Sequence, residues 1–116
     1  MNASWFLCAL LVGCTIVSPN RTEGWPVLKV TEHYISGAEL RAKCDKYSPF
    51  GGSSAIACME FDLRAGTCDI WAQPGTAAWA LEHERKHCHG YDHAGGNTFT
   101  KAVAAMRSVK ALATSP

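Results

Sequence analysis

Polar and apolar positions divide the chain into one unbroken apolar run followed by short periodic segments. The run, WFLCALLVGCTIV, extends from Trp5 to Val17. It is shorter than the roughly 20 apolar residues that a membrane-spanning helix needs. Its N-terminal place suits a secretory signal. Asn20 to Pro26 is a polar lead-in. VLKVTEHYI then alternates, with Leu28, Val30 and Tyr34 on one face, and predicts a strand. Ser36 and Glu39 have the spacing of a capping box. A short helix through AELRAKC follows, with Leu40 and Cys44 on one face. Pro49, Gly51 and Gly52 break both periodicities, so YSPFGGSS is a loop.

In AIACMEFDL, Ile56, Cys58, Glu60 and Asp62 oppose Ala57, Met59, Phe61 and Leu63, the alternation of a half-buried strand. RAG is a turn and TCDIWA a second strand, which together predict a hairpin. A turn centred on Ala65 does not set Cys58 opposite Cys68, which argues against a bond between them. QPG separates the hairpin from AAWALEHERKHCH, a helix with Thr76 as its expected cap. Gly90 is its expected stop, because glycine takes the left-handed conformation that ends helices. A last helix from Thr98 to Leu112 repeats Phe99, Val103, Met106 and Lys110 at helical spacing. Its expected role is to pack the preceding helix. The sum is one small α+β domain over residues 20–116, with residues 1–19 as a signal peptide and the start of a linker. A short antiparallel sheet is expected to pack on the histidine-bearing helix and the C-terminal helix.

A length of 116 residues agrees with a single small domain. A net charge of +1, with only 18% charged residues, leaves no basic stripe for nucleic acid. The cysteines change the picture more. LVGC, from Leu11 to Cys14, resembles the bacterial lipobox, in which the cysteine becomes the lipidated first residue of the mature chain. Lipidation of Cys14 would tether the domain to a membrane surface; the alternatives are an ordinary signal cleaved a little later and an uncleaved anchor. Cys8 would leave with the signal. Cys44, Cys58, Cys68 and Cys88 remain, an even set that reads as two disulfides in an exported domain. The sequence leaves their pairing open. There is no C-x-x-C pair to suggest a zinc cluster instead. Two crosslinks would stabilise a modest core by restricting the unfolded chain.

HERKHCHGYDH, from His83 to His93, concentrates the candidate chemistry. His83 and His87 are four apart on a helix, so both imidazoles emerge on one face and reach one zinc ion. Glu84 is the expected general base, polarising a water on the metal rather than binding it. Gly90 lets the chain turn back, which gives His93 a route to the third ligand position; the alternative is a loop histidine there, with Asp92 or a residue elsewhere completing the site. Asp92 is a candidate carboxylate acceptor for a ligand imidazole, and Tyr91 a candidate donor to an oxyanion. His89 points away from the ligand face, Glu82 and Arg85 read as surface residues, and no spacing requires His33 at the site. The chemistry implied is amide hydrolysis, with Glu84 taking a proton from water and passing it to the leaving amine. The upstream hairpin offers a strand edge on which an extended peptide can pair. Glu60, Asp62 and Asp69 form no carboxylate pair suited to glycan cleavage.

The spacing H-E-x-x-H-x-x-G-x-x-H resembles the long zinc motif of the metzincin metallopeptidases. That resemblance implies His83, His87 and His93 as ligands, Glu84 as base and Gly90 as the turn. Metzincins also place a methionine in a tight turn beneath the metal, whereas Met106 falls in a helical run. HYISGAELRAKC, from His33 to Cys44, followed by a hairpin and an H-E-x-x-H helix, is similar to a family of predicted secreted bacterial zinc-dependent proteases. This second resemblance implies a compact zincin-like α+β domain in the periplasm or at the envelope. The expectation is a lipid-anchored zinc metallopeptidase, at the outer membrane or in the periplasm, acting on a peptide or protein substrate such as a cell-wall peptide. One alternative is a non-catalytic, metal-stabilised envelope lipoprotein that binds a protein partner. Another is a disulfide-stabilised module whose histidine-rich loop merely scavenges metal. An open coordination position faced by Glu84 separates the enzyme from both.

Overall fold

The computed structural model describes residues 16–44 and 56–114, with side chains through residue 110. Cys14, most of the apolar run and the loop 47–54 lie outside the described residues. The elements are β1 (Lys29–Tyr34), α1 (Gly37–Cys44), β2 (Ala57–Asp62), β3 (Thr67–Ala72), α2 (Ala78–Cys88) and α3 (Thr98–Thr114). None of these helices is long and apolar enough to cross a membrane.

The hairpin forms where alternation places it. The Asp62 carboxylate accepts the N–H groups of Arg64 and Ala65 at 3.0 and 2.9 Å, and Gly66 closes the turn at φ +75°. β3 becomes the central strand, in the order β1-β3-β2. It pairs antiparallel with β2 and parallel with β1. The sheet is therefore mixed, which corrects the expectation of an antiparallel one. The connection explains it. α1 carries the chain from β1 to the far edge, where β2 runs opposite to β1, and the tight hairpin turns β3 back parallel to β1.

The two faces of β3 serve different helices. Cys68, Ile70 and Ala72 are buried on one face, with Met59, Phe61, Leu28 and Val30 in the same core region. α2 and α3 cover this face through Leu81, Cys88, Phe99 and Val103. On the other face Cys58 and Trp71 pack with Ile35 and the Leu40 and Cys44 side chains of α1. Each face is crosslinked to its helix, Cys68 to Cys88 and Cys44 to Cys58. Cys58 and Cys68 are not bonded to each other, in agreement with the register argument.

Three local details differ in instructive ways. Ser36 caps α1 as expected: the Glu39 N–H donates to its hydroxyl at 3.2 Å, and the hydroxyl donates to the Glu39 carboxylate at 2.8 Å. Thr76 does not cap α2. Its hydroxyl donates to the Gln73 carbonyl at 2.6 Å within the preceding turn, and Ala77 takes the cap position without a side-chain bond. Trp25, read from sequence as part of a polar lead-in, is only 3% exposed. It stacks on Phe99 at 4.7 Å and meets Phe61 edge-on at 4.9 Å, while its indole N–H donates to the Cys88 carbonyl at 2.9 Å. An apolar ring with one satisfied polar handle is well suited to such a position.

Candidate metal centre

α2 sets two of the three histidines by its period. His83 and His87 lie one turn apart, and their Nε2 atoms are 3.0 Å from each other. The helix ends as Gly90 enters the left-handed region at φ +98°. No other residue type fits there, because a Cβ on Gly90 would sit 2.5 Å from Cγ of Trp25. The chain then returns, and His93 Nε2 stands 3.2 Å from His87 Nε2. The three imidazoles form a cluster whose ligand atoms all lie within 4.8 Å of one another.

His87 shows why this geometry fits a cation. It is 2% exposed, and its Nδ1 lies 2.6 Å from the Tyr91 carbonyl oxygen. A carbonyl only accepts, so Nδ1 carries the proton and Nε2 turns a lone pair toward the other two rings. Burial pushes the His87 pKa down to about 4, which favours this neutral form. Zinc–nitrogen bonds of about 2.0–2.1 Å in a tetrahedron separate neighbouring nitrogens by about 3.3 Å. The observed 3.0 and 3.2 Å are close to that edge. The three histidines therefore fit a divalent metal.

Glu84 follows His83 on α2 and lines the same cavity of about 510 Å³ as all three imidazoles. It is 9% exposed, and burial alone raises its carboxyl pKa to about 8. A dication held by the histidines would oppose that rise and favour the carboxylate.

The structure distributes the remaining candidates. Tyr91 contributes its backbone carbonyl to His87. Asp92, 7% exposed, accepts the N–H of His93 at 2.7 Å and that of Phe99 at 3.0 Å, tying the ligand loop to the first turn of α3. Its Oδ1 stands 4.0 Å from His93 Nδ1, beyond hydrogen-bonding distance. His33 lies on the opposite face of the sheet, stacked on Trp71 and bonded to Asp69 at 2.8 Å, so it takes no part in the cluster. His89 is exposed at the end of α2. Arg85, expected at the surface, holds Glu32 of β1 through two bonds of 2.6 and 2.9 Å.

Compared with protein-family models, curated proteins and solved structures, the chain finds no match.

Sequence reasoning missed two contributors. Phe99 meets the His87 ring edge-on at 5.5 Å and helps fix its plane. The Tyr91 carbonyl orients the same ring, a role any residue type can fill, so no side-chain signal marks it in the sequence.

Proposed function

We propose that this protein is an exported zinc-dependent hydrolase, most specifically a peptidase of the bacterial cell envelope, anchored by lipid at Cys14. The observation that carries the proposal is the Glu84 carboxyl facing the same cavity as three converging imidazoles. His83, His87 and His93 would hold a zinc ion there, which would supply a Lewis acid and lower the pKa of water. Glu84 is then placed to accept a proton from water in the cavity and deliver it to the leaving amine. Its burial keeps it out of bulk solvent, where a proton would be lost to water.

The neighbouring sheet supports a peptide as substrate. β2 is an edge strand, and five consecutive residues, Ala57 to Phe61, line the cavity. Consecutive lining residues mean that the strand offers its backbone edge rather than one face. An extended peptide can pair with such an edge. Only three metal-ligating groups converge among the described residues, and a purely structural zinc site takes four. That favours the enzyme over a metal-stabilised binding module. The two disulfides accord with an oxidising compartment.

The test is zinc stoichiometry on the wild type, Glu84→Gln and His93→Ala, with cleavage of a mixed peptide library followed on the same samples. One zinc per chain is expected in the wild type and in Glu84→Gln, with cleavage lost in the latter. His93→Ala should bind zinc far more weakly. A wild-type chain that takes up no stoichiometric zinc would overturn the proposal.

A further inference from the structure

His83 and His87 are held by the hydrogen-bond ladder of α2, but His93 lies beyond the helix. Its position depends on the loop Cys88–Ala94, and that loop is laced to the chain upstream of β1. The Ser18 N–H donates to the Asp92 carbonyl at 2.8 Å, and the Ala94 N–H donates to the Ile16 carbonyl at 3.1 Å. These two bonds flank an antiparallel pair, Val17 with His93. The lacing continues in order. The Thr22 N–H donates to Gly90 O at 2.8 Å, Arg21 Nε to His89 O at 2.8 Å, and the Trp25 indole to Cys88 O at 2.9 Å. Ser18 precedes Pro19, which disfavours the helical conformation at Ser18 and keeps this stretch extended.

We infer that Ile16–Ser18 is a positioning strand of the metal centre, which sets the His93 imidazole by pairing with the backbone on both sides of it. This inference rests on the metal reading above. The 16–25 segment, read from sequence as the end of the signal-like run, the start of a linker and a polar lead-in, is then a working part of the site. Without this strand the loop keeps its ends at α2 and α3, the bonds from Thr22, Arg21 and Trp25 to its first residues and the bonds that the Asp92 carboxylate makes. The Asp92 carbonyl and the Ala94 N–H, on either side of His93, lose their partners. The metal would then have to order His93 on binding, and affinity would fall by the free energy of that ordering.

The experiment uses the full chain as wild type, Ser18→Ala and Ser18→Pro. Proline removes the N–H that reaches Asp92, whereas alanine retains it. Zinc affinity is measured by competition with a chelator, and the visible spectrum of the cobalt(II)-loaded protein reports the ligand set. Ser18→Pro should lose about ten- to a hundred-fold in zinc affinity, the range found when groups supporting a metal ligand are removed. Its cobalt spectrum should shift, while Ser18→Ala should match the wild type in both readouts.

Amide hydrogen exchange on the wild type supplies a test that does not depend on the proline variant folding. Zinc should slow exchange at Ser18 and Ala94 together. Wild-type affinity and spectrum in a folded Ser18→Pro would overturn the inference and leave the metal site standing. So would exchange at Ser18 and Ala94 that is insensitive to zinc. A wild-type chain that binds no zinc would overturn both.

Discussion

On one face of β3, Cys68, Ile70 and Ala72 are no more than 1% exposed beneath α2 and α3. On the other, Thr67, Asp69 and Trp71 are only half-buried, with α1 the sole helix packed there among the described residues. Both faces have a helix and a crosslink, yet only one has a deep aromatic core. Trp25, Phe61 and Phe99 form that core with ring centroids 4.7 to 5.1 Å apart, and His87 rests against Phe99. The candidate metal centre stands on the thick face. Ligands held in place before metal arrives bind it without an ordering cost, and dense packing is what holds side chains in single rotamers. The thin face carries His33, Trp71 and Lys43 in a surface stack, with the Lys43 ammonium 4.1 Å from the Trp71 ring centre. Such contacts contribute little rigidity where solvent reaches them.

The comparison breaks most sharply in the cores. Phe99→Ala should destabilise the metal-free protein by about 3–5 kcal/mol, and Leu40→Ala on the thin face by about 2–3 kcal/mol. Urea unfolding measures both. Zinc titration of the folded fraction should show weakened binding only for Phe99→Ala, because only that ring touches a ligand. Equal zinc affinity in the two variants would mean that the thick core does not preorganise the site.

The crosslinks sharpen the comparison. Their sequence separations are 14 and 20 residues, so chain entropy gives each about 3 kcal/mol of stabilisation. Replacing either pair by alanine should therefore cost a similar amount in thermal or urea unfolding. Metal affinity should separate them. Cys88 follows His87 directly, so loss of Cys68–Cys88 should weaken zinc binding, and loss of Cys44–Cys58 should not.

The smallest effect concerns acid. The Arg85 guanidinium, aided by the Tyr34 hydroxyl, holds the Glu32 carboxyl down at about 2, below its ordinary value of 4.5. A depressed carboxyl stabilises the fold above its unfolded value and loses that contribution as pH falls toward the folded one. Stability should thus decline from about pH 4.5 to about pH 2, and Glu32→Gln should flatten part of that slope. The pair is partly solvated, so the change is a modest one. Identical acid unfolding curves for wild type and variant would remove Arg85 from the account of how α2 is held to β1.

Much of this was legible in the chain. Strict alternation in Ala57–Asp62 and Thr67–Ala72 marked the hairpin because its two faces differ in burial. His83, His87, Gly90 and His93 were legible because helix period and glycine conformation leave little choice. The direction of β1 was not, since alternation is the same read either way along a strand. Trp25 was hidden by its polar neighbours, and its burial depends on aromatic partners 36 and 74 residues distant in the sequence, Phe61 and Phe99. Thr76 misled because a cap and a turn use the same hydroxyl, and the nearer carbonyl won. The lacing of residues 16–25 to the ligand loop runs largely through backbone groups, which every sequence possesses.

The hairpin register has a consequence for how the oxidised protein is reached. Cys58 lies across from Trp71, and Cys68 across from Phe61, so the two thiols emerge on opposite sides of the paired strands. Once β2 and β3 zip together, the pair closest in sequence is kept apart by the sheet itself. Four thiols allow three pairings, and strand pairing removes the one containing Cys58–Cys68. The hairpin thereby acts as a proofreader of oxidation, excluding that pairing whenever its two strands are zipped together.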